Sequence, residues 1–325
     1  MNCEKNIQED AMGIVVIGSV FVDIKGYPYD TYLPTGRNSG RIVQVHGGVS
    51  RNIAEDIANV ELRPTFVSLV DDTGIGTDVI EKLKRHKVNT KYIRKVPDGM
   101  GTWLAIFDND GDVAGSISKR PNLEPIAQLL MEEGDEIIKD CDSIVVEFDL
   151  ENNVLRQVFA LAEKYHKDVY AAVSNMSIAM KRRDRLQKIR CFVCNKEEAE
   201  VFFSDSFSGI PSDELARILV ERIRSANIRS MIVTLGGDGA IYADALTGEY
   251  GQTRARKVNV SDTTGAGDAF SAGVAIGLTY GKSLAESCEI GTRLAASVIV
   301  TQDNVCPRFR PEEFGLEVKS SSDGR

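Results

Sequence analysis

The chain has 325 residues, 42% of them hydrophobic and 27% charged, enough to bury a large core without disulfide or metal staples. Its formal charge of −9 at pH 7 argues against nucleic acid as a main partner, because a phosphate backbone wants a net basic surface. No run of about 18 apolar residues occurs, so no transmembrane helix and no membrane partner are expected.

The first ten residues, MNCEKNIQED, carry three acids and no apolar run, so a secretory signal is not expected. Cys3, Cys141, Cys191, Cys194, Cys288 and Cys306 are scattered, which suits a reducing cytoplasm. GIVVIGSVFVDI (13–24) is an apolar, β-branched run, the pattern of a buried strand. Residues 25–46 hold two prolines and three glycines without helical periodicity, and so interrupt the rhythm. SRNIAEDIANV (50–60) spaces Ile53, Ala54, Ile57, Ala58 and Val60 as a helix does. PTFVSLVDD (64–72) is strand-like, and GTDVIEKLKRHKV (76–88) is helical again. GTWLAIFDNDGDVAGSIS (101–118) predicts two short strands around an Asp110-Gly111 turn.

The alternation resumes with SIVVEFDL (143–150), NNVLRQVFALAEKYH (152–166), DVYAAVS (168–174), CFVCN (191–195), DELARILVERIRSAN (213–227) and SMIVTLGG (230–237). Repeated strand–helix–strand order predicts a central, mostly parallel sheet between two layers of helices. The two interruptions predict a small β-sheet standing off this α/β/α body, placed to act as a lid. Cys191 and Cys194 form a C-x-x-C. On a strand, residues three apart point to opposite faces, so core burial is their expected role.

SDTTGAGDAFSAG (261–273) raises a chemical question, since small and hydroxyl residues precede an apolar helix. Ser261, Asp262 and the threonines could merely cap that helix. A glycine-rich turn at a helix N-terminus also leaves backbone N–H groups free at the positive end of the dipole. Such an anion hole suits a phosphoryl group in transfer, and Asp268 in the first turn could accept a hydroxyl proton beside it.

DTTGAGD followed by AFSAG resembles the second signature of the ribokinase-like (PfkB) family of sugar and nucleoside kinases, and GGVSRNIAEDIA (47–58) resembles the first. The resemblance spans nearly the whole chain. It implies one kinase domain over 12–315, with lid segments near 25–46 and 101–120 and a loose tail over 316–325. It implies ATP as phosphate donor, Asp268 as the base, and the N–H groups of Gly265, Ala266 and Gly267 as the anion hole. Asp23, Gly47, Gly48 and Asn52 would bind sugar hydroxyls, with Asp149, at a strand end, as a further ribose contact. NKEEAE matches the family's N-x-x-E, with Asn195 toward the nucleotide and Glu198 reaching Mg²⁺ through water. TLGGDGAIYAD resembles the strand and turn that contact the nucleotide, through Thr234, Gly236 and Gly239. Asp262 and Thr264 match the ligand positions of a monovalent cation such as K⁺. Relatives pair their lid sheets in dimers, so a homodimer through that sheet is expected.

For the acceptor, the glycine-tyrosine after Asp23 and the G-G-V-x-R-N-I-A stretch look most like pseudouridine kinases. Phosphorylation of pseudouridine at its 5′-hydroxyl is therefore the expected reaction, with the base under the hairpin. Ribose, fructose or a sugar phosphate are the alternatives within the family. Lys119 and Arg120, near the hairpin, either favour an anionic sugar or are simply solvated. YAAVSN (170–175) lacks the acid that many relatives carry at this strand end, leaving Ser174 or Asn175 as weak substitutes. A non-catalytic sensor is the competing class, but it has no use for Asp268. No Walker-type motif occurs, and no G-x-G-x-x-G follows the first strand, which disfavours a P-loop ATPase and a Rossmann oxidoreductase.

Overall fold

The computed structural model describes residues 13–317. The expected loose tail lies almost wholly outside them. The chain opens with β1 (Ile14–Ile17), continues as β2 (Phe21–Pro28) and returns as β3 (Gly40–Gly47). Helix α1 (Val49–Asn59), β4 (Thr65–Val70), α2 (Gly74–Arg85) and β5 (Ile93–Lys95) follow. The hairpin is β6 (Gly101–Phe107) and β7 (Val113–Lys119). Next come α3 (Pro125–Lys139), β8 (Ser143–Glu147), α4 (Asn152–Lys164) and β9 (Val169–Ala172). The one-turn helices α5 (Met176–Ala179) and α6 (Arg183–Leu186) lead to β10 (Cys191–Asn195), α7 (Lys196–Phe203) and α8 (Ser212–Ser225). The described chain is completed by β11 (Ser230–Thr234), β12 (Ala240–Asp244), β13 (Tyr250–Thr253), α9 (Ala266–Thr279) and α10 (Leu284–Val298).

Nine strands form one sheet in the order β13-β12-β11-β10-β9-β8-β1-β4-β5, parallel except at β12 and β13. Alternate side chains of β1 enter opposite cores. Val15 and Ile17 join α3, α4, α7 and α8, whereas Ile14 and Val16 join α1, α2, α9 and α10. The result is the expected three-layer α/β/α architecture, whose apolar cores hold the layers together at roughly 1.5–3 kcal/mol per fully buried large side chain. Cys194 and Cys191 divide between the two cores in the same way, as buried free thiols.

The four remaining strands form the small sheet, in the order β3-β2-β6-β7. It begins at Phe21, so the expected single strand 13–24 is in fact two. The break has a long-range cause. The Ser19 N–H and hydroxyl both donate to Glu147 at the end of β8, at 2.8 and 2.7 Å. A Cβ on Gly18 would meet Ser50 Oγ at 2.0 Å, so only glycine fits that crossing.

Helix α1 departs from the simple amphipathic pattern. Every residue from Ser50 to Asn59 is buried, so its polar side chains need internal partners. Helix α9 packs on α10 where Gly273 meets Gly291, and a Cβ on Gly273 would lie 2.6 Å from the Gly291 Cα. That close approach fixes the helix that carries Asp268. Two helices that the periodic reading passed over, α3 and α10, bury stripes such as Ile126, Leu130 and Ile137, or Leu284, Cys288 and Leu294.

Candidate active site

The turn before α9 is glycine-bounded, but among the described residues it leaves two free amides where the sequence reading expected three, because the Ala266 N–H is spent within the turn. Gly265 has φ 83°, a left-handed conformation natural to glycine, and a Cβ there would meet the Asn304 carbonyl oxygen at 2.1 Å. No side chain caps the helix. The Ala266 N–H donates to Thr263 O at 3.2 Å, closing the turn. Among the described residues, the N–H groups of Gly265 and Gly267 are left without a protein acceptor, and a Cβ on Gly267 would face open space. The Asp262 Oδ1 accepts from the Thr264 N–H at 2.8 Å and from its hydroxyl at 2.7 Å.

Asp268 projects from the first turn of α9. Its Oδ2 accepts from Asn52 Nδ2 at 2.7 Å, joining the two signature stretches. Burial raises its pKa to about 7, against the lowering effects of the Asn52 hydrogen bond and the Arg51 charge. A carboxyl titrating near neutrality, with one oxygen held, is suited to accepting a proton on the other.

Asp23 lies on β2 and is almost fully buried. Burial raises its pKa, opposed by Lys25 and Arg51. A Cβ on Gly47 would sit 2.3 Å from its Oδ2, so the bare backbone of Gly47 is what makes room for the carboxylate. Gly48, at φ 97°, is the N-cap of α1. Asn52 is only 4% exposed, and both ends of its amide are engaged, by Asp268 and Arg51. One amide hydrogen remains for a substrate oxygen.

Register places Phe21, Asp23, Lys25 and Tyr27 on one face of the small sheet, with Trp103, Ala105 and Phe107 beside them. Tyr27 and Phe107 stack at 4.8 Å, and Trp103 meets Phe107 edge-on at 6.4 Å. From the same face, Lys25 reaches the turn before α9, its Nζ 3.6 Å from Asp262 Oδ2. Burial pushes the Asp262 carboxyl up, but the Thr264 hydrogen bonds and Lys25 outweigh it and hold the group below its ordinary range. In this arrangement Asp262 Oδ1 serves Thr264 and Oδ2 faces Lys25.

At the ends of β10 and β11, a cleft of about 570 Å³ opens beside the turn, lined by residues that include Asn195, Thr234, Gly236 and Thr263. Lys196, Leu215 and Asp238 also line it, although the sequence reading did not single them out. Gly239 is not a lining residue. A Cβ there would meet Thr253 O at 2.0 Å, so its place is in the packing of the turn. Asn195 and Glu198 form a reciprocal cap on α7, each side chain accepting from the other's backbone N–H, at 2.8 and 2.9 Å. Glu197 rather than Glu198 lines the cleft, and the second carboxylate oxygen of Glu198 accepts from no protein donor among the described residues, which leaves it open to water-mediated contact with Mg²⁺. Among the described residues no cluster of three metal-ligating side chains occurs.

Asp149 lies just past β8. Its Oδ2 accepts from the Ser174 hydroxyl at 2.7 Å and sits 3.8 Å from Arg120 Nη2, and its Oδ1 is buried without a partner. Ser174 is thus committed, and Asn175 caps α5 by accepting from the Ile178 N–H. Lys119 pairs with exposed Asp98 at 2.5 Å, on the surface. The sequence reading missed Glu147, which receives Ser19 and Ser50 and is felt electrostatically at Asp268. Its signal was a lone acid inside an apolar strand.

A profile for pfkB family carbohydrate kinases matches residues 12–307. The chain belongs to this family. The enzyme is therefore a phosphotransferase with an alcohol group as acceptor. The kinase is 33% identical to a guanosine-inosine kinase of Exiguobacterium acetylicum, over 90% of this chain and 95% of that one. It is 27% identical to a pseudouridine kinase of Escherichia coli, over 84% and 86%. In fold, it matches Arabidopsis thaliana ribokinase complexed with ribose and ATP at a TM-score of 0.81 and 20% identity, covering 94% of this chain and 98% of that one. Thermotoga maritima ribokinase gives a TM-score of 0.73 at 21% identity, covering 93% and 99%.

Proposed function

We propose that the kinase transfers the γ-phosphoryl group of ATP to the 5′-hydroxyl of a ribonucleoside. The observation that carries this reading is the hydrogen bond from Asn52 to Asp268 beside the free N–H groups of Gly265 and Gly267. In this reading Asp23, the bare backbone at Gly47 and Gly48, and the remaining Asn52 hydrogen hold the ribose. Asp268 accepts the proton of the attacking hydroxyl, and the two amides receive the phosphoryl oxygens. ATP lies in the cleft bounded by Asn195, Thr234 and Gly236. Mg²⁺, held through water by Glu198, would supply charge neutralisation on the phosphates. The small sheet acts as a lid that excludes water, the competing acceptor.

A nucleoside is favoured over a simple sugar by the aromatic group Tyr27, Trp103 and Phe107 on the face that carries Asp23. A flat base finds apolar ring surface there, whereas ribose or fructose would not use it. Lys119 is turned to Asp98 and Arg120 to Asp149, which supports an uncharged acceptor over a sugar phosphate. Guanosine and inosine stand first, because the 33% identical relative is a guanosine-inosine kinase. Pseudouridine, favoured by the sequence around Asp23 and Asn52, is the second reading.

A panel of guanosine, inosine, pseudouridine, adenosine, ribose, fructose and fructose 6-phosphate, scored for ATP-dependent phosphorylation, tests the assignment. Turnover confined to free sugars would remove the nucleoside reading. ADP release that no acceptor accelerates would favour a sensor.

The opposite face of the small sheet carries Ile42 and Ile117, 76% and 71% exposed, with Leu104 and Ile106 between them. This apolar face supports a homodimer formed through the lid sheets. Sedimentation of Ile117→Asp against the wild type tests it, since a monomeric wild type would refute the dimer.

A further inference from the structure

Arg51 has no part in the transfer as described, yet it is wholly buried one residue before Asn52. A buried guanidinium persists only when its donors are paired. Its Nη1 donates to Glu55, and its Nε lies 3.4 Å from Gly47 O. Its Nη2 donates to His46 O, to Asn52 Oδ1 and, at 3.1 Å, to Asn304 Oδ1. Asn304 donates in turn to His46 O at 2.8 Å, and its backbone carbonyl packs where a Cβ of Gly265 would stand. One cation therefore touches the strand end at the glycine pair, the Asn52 amide and the segment beneath the anion-hole turn.

An amide has one accepting and one donating end, while a guanidinium only donates. Arg51 thereby dictates that Asn52 Oδ1 faces inward and Nδ2 faces Asp268. The reversed amide would set N–H against guanidinium and oxygen against carboxylate.

We propose that Arg51 is a positioning residue for phosphoryl transfer, orienting the Asn52 amide so that it grips one oxygen of Asp268 and leaves the other to the acceptor hydroxyl. The proposal rests on the reading of Asp268 as the base. Lysine keeps the charge but cannot hold several carbonyl groups at fixed angles, so Arg51→Lys is not a conservative change here.

The test is a cycle of Arg51→Lys, Asn52→Ala and the double variant, with kcat, both KM values and melting temperature measured. Arg51→Lys should lower kcat by about 30-fold with the KM for ATP within twofold, and by less than about threefold when Asn52 is already alanine. Equal losses in both backgrounds, or an unchanged kcat, would overturn the proposal, because a merely structural role predicts additive effects. If Arg51→Lys does not fold, Asn304→Ala at its half-buried position is read the same way. Its expected loss of about fivefold should vanish with Asn52→Ala, and no loss overturns the proposal. Undiminished turnover in Asp268→Asn would instead remove the base reading, which this cycle does not measure.

Discussion

Asn52 on α1 and Asp268 on α9 lie 216 positions apart and share a 2.7 Å hydrogen bond. This bond joins the stretch read as sugar-binding to the stretch read as phosphoryl-binding. It makes the orientation of the Asp268 carboxyl a property of tertiary packing, and several consequences can be measured.

The two glycines of the turn before α9 should fail in different ways. Gly265→Ala meets both a positive φ and the Asn304 carbonyl, so it should cost more than about 2 kcal/mol of stability. Gly267→Ala meets nothing within 4 Å and should keep or slightly raise the melting temperature. Its methyl group nevertheless stands at the mouth of the donors, so kcat/KM for ATP should fall by about tenfold or more. Thermal melts and steady-state kinetics on the pair check this contrast.

Lys25 ties the small sheet to the turn through Asp262, with its own side chain nearly buried. Lys25→Met should lower kcat by roughly tenfold, about 1.4 kcal/mol in the barrier, while leaving the melting temperature within a few degrees. The effect should weaken only in part in 0.5 M salt, because Lys25 is nearly buried while Asp262 is about 31% exposed. Unaltered kinetics would show that the contact does not matter for turnover.

Asp268 should cost stability as pH rises. Its pKa is near 7 in the folded protein, against an ordinary value of 3.8, so the folded state holds a proton that the unfolded chain has released. Stability should therefore fall between about pH 4 and 7, and buried Asp56, also raised by burial, adds to the same trend. Asp268→Asn should be about 2 kcal/mol more stable than the wild type at pH 8, and equal to it near pH 4. That figure is discounted from the full conversion because the residue is partly exposed. Melting curves at the two pH values measure the difference.

Much of this was legible in the sequence where the cause is local. A glycine-rich entrance to a helix, an acid in its first turn and alternating strand and helix patterns follow from backbone preference and periodicity alone. The break at Gly18 and Ser19 was not legible, because Glu147, 128 positions from Ser19, imposes it. Nor was the all-round burial of α1, since Arg51, Asn52, Glu55 and Asp56 look like an exposed polar face until their partners on α2, α9 and the Asn304 segment are known. In the N-x-x-E motif the helix cap of Asn195 and Glu198 is local and shows in the spacing, whereas the proposed path to Mg²⁺ depends on how distant strands end around it.

The most direct test of the account is turnover of Asp268→Asn with the acceptor that the wild type prefers, alongside its affinity for ATP. Loss of kcat by roughly 10²–10⁴-fold, with ATP binding within about twofold, is the predicted result. A variant that phosphorylates at a near-normal rate would contradict it, and proton removal would have to be assigned elsewhere.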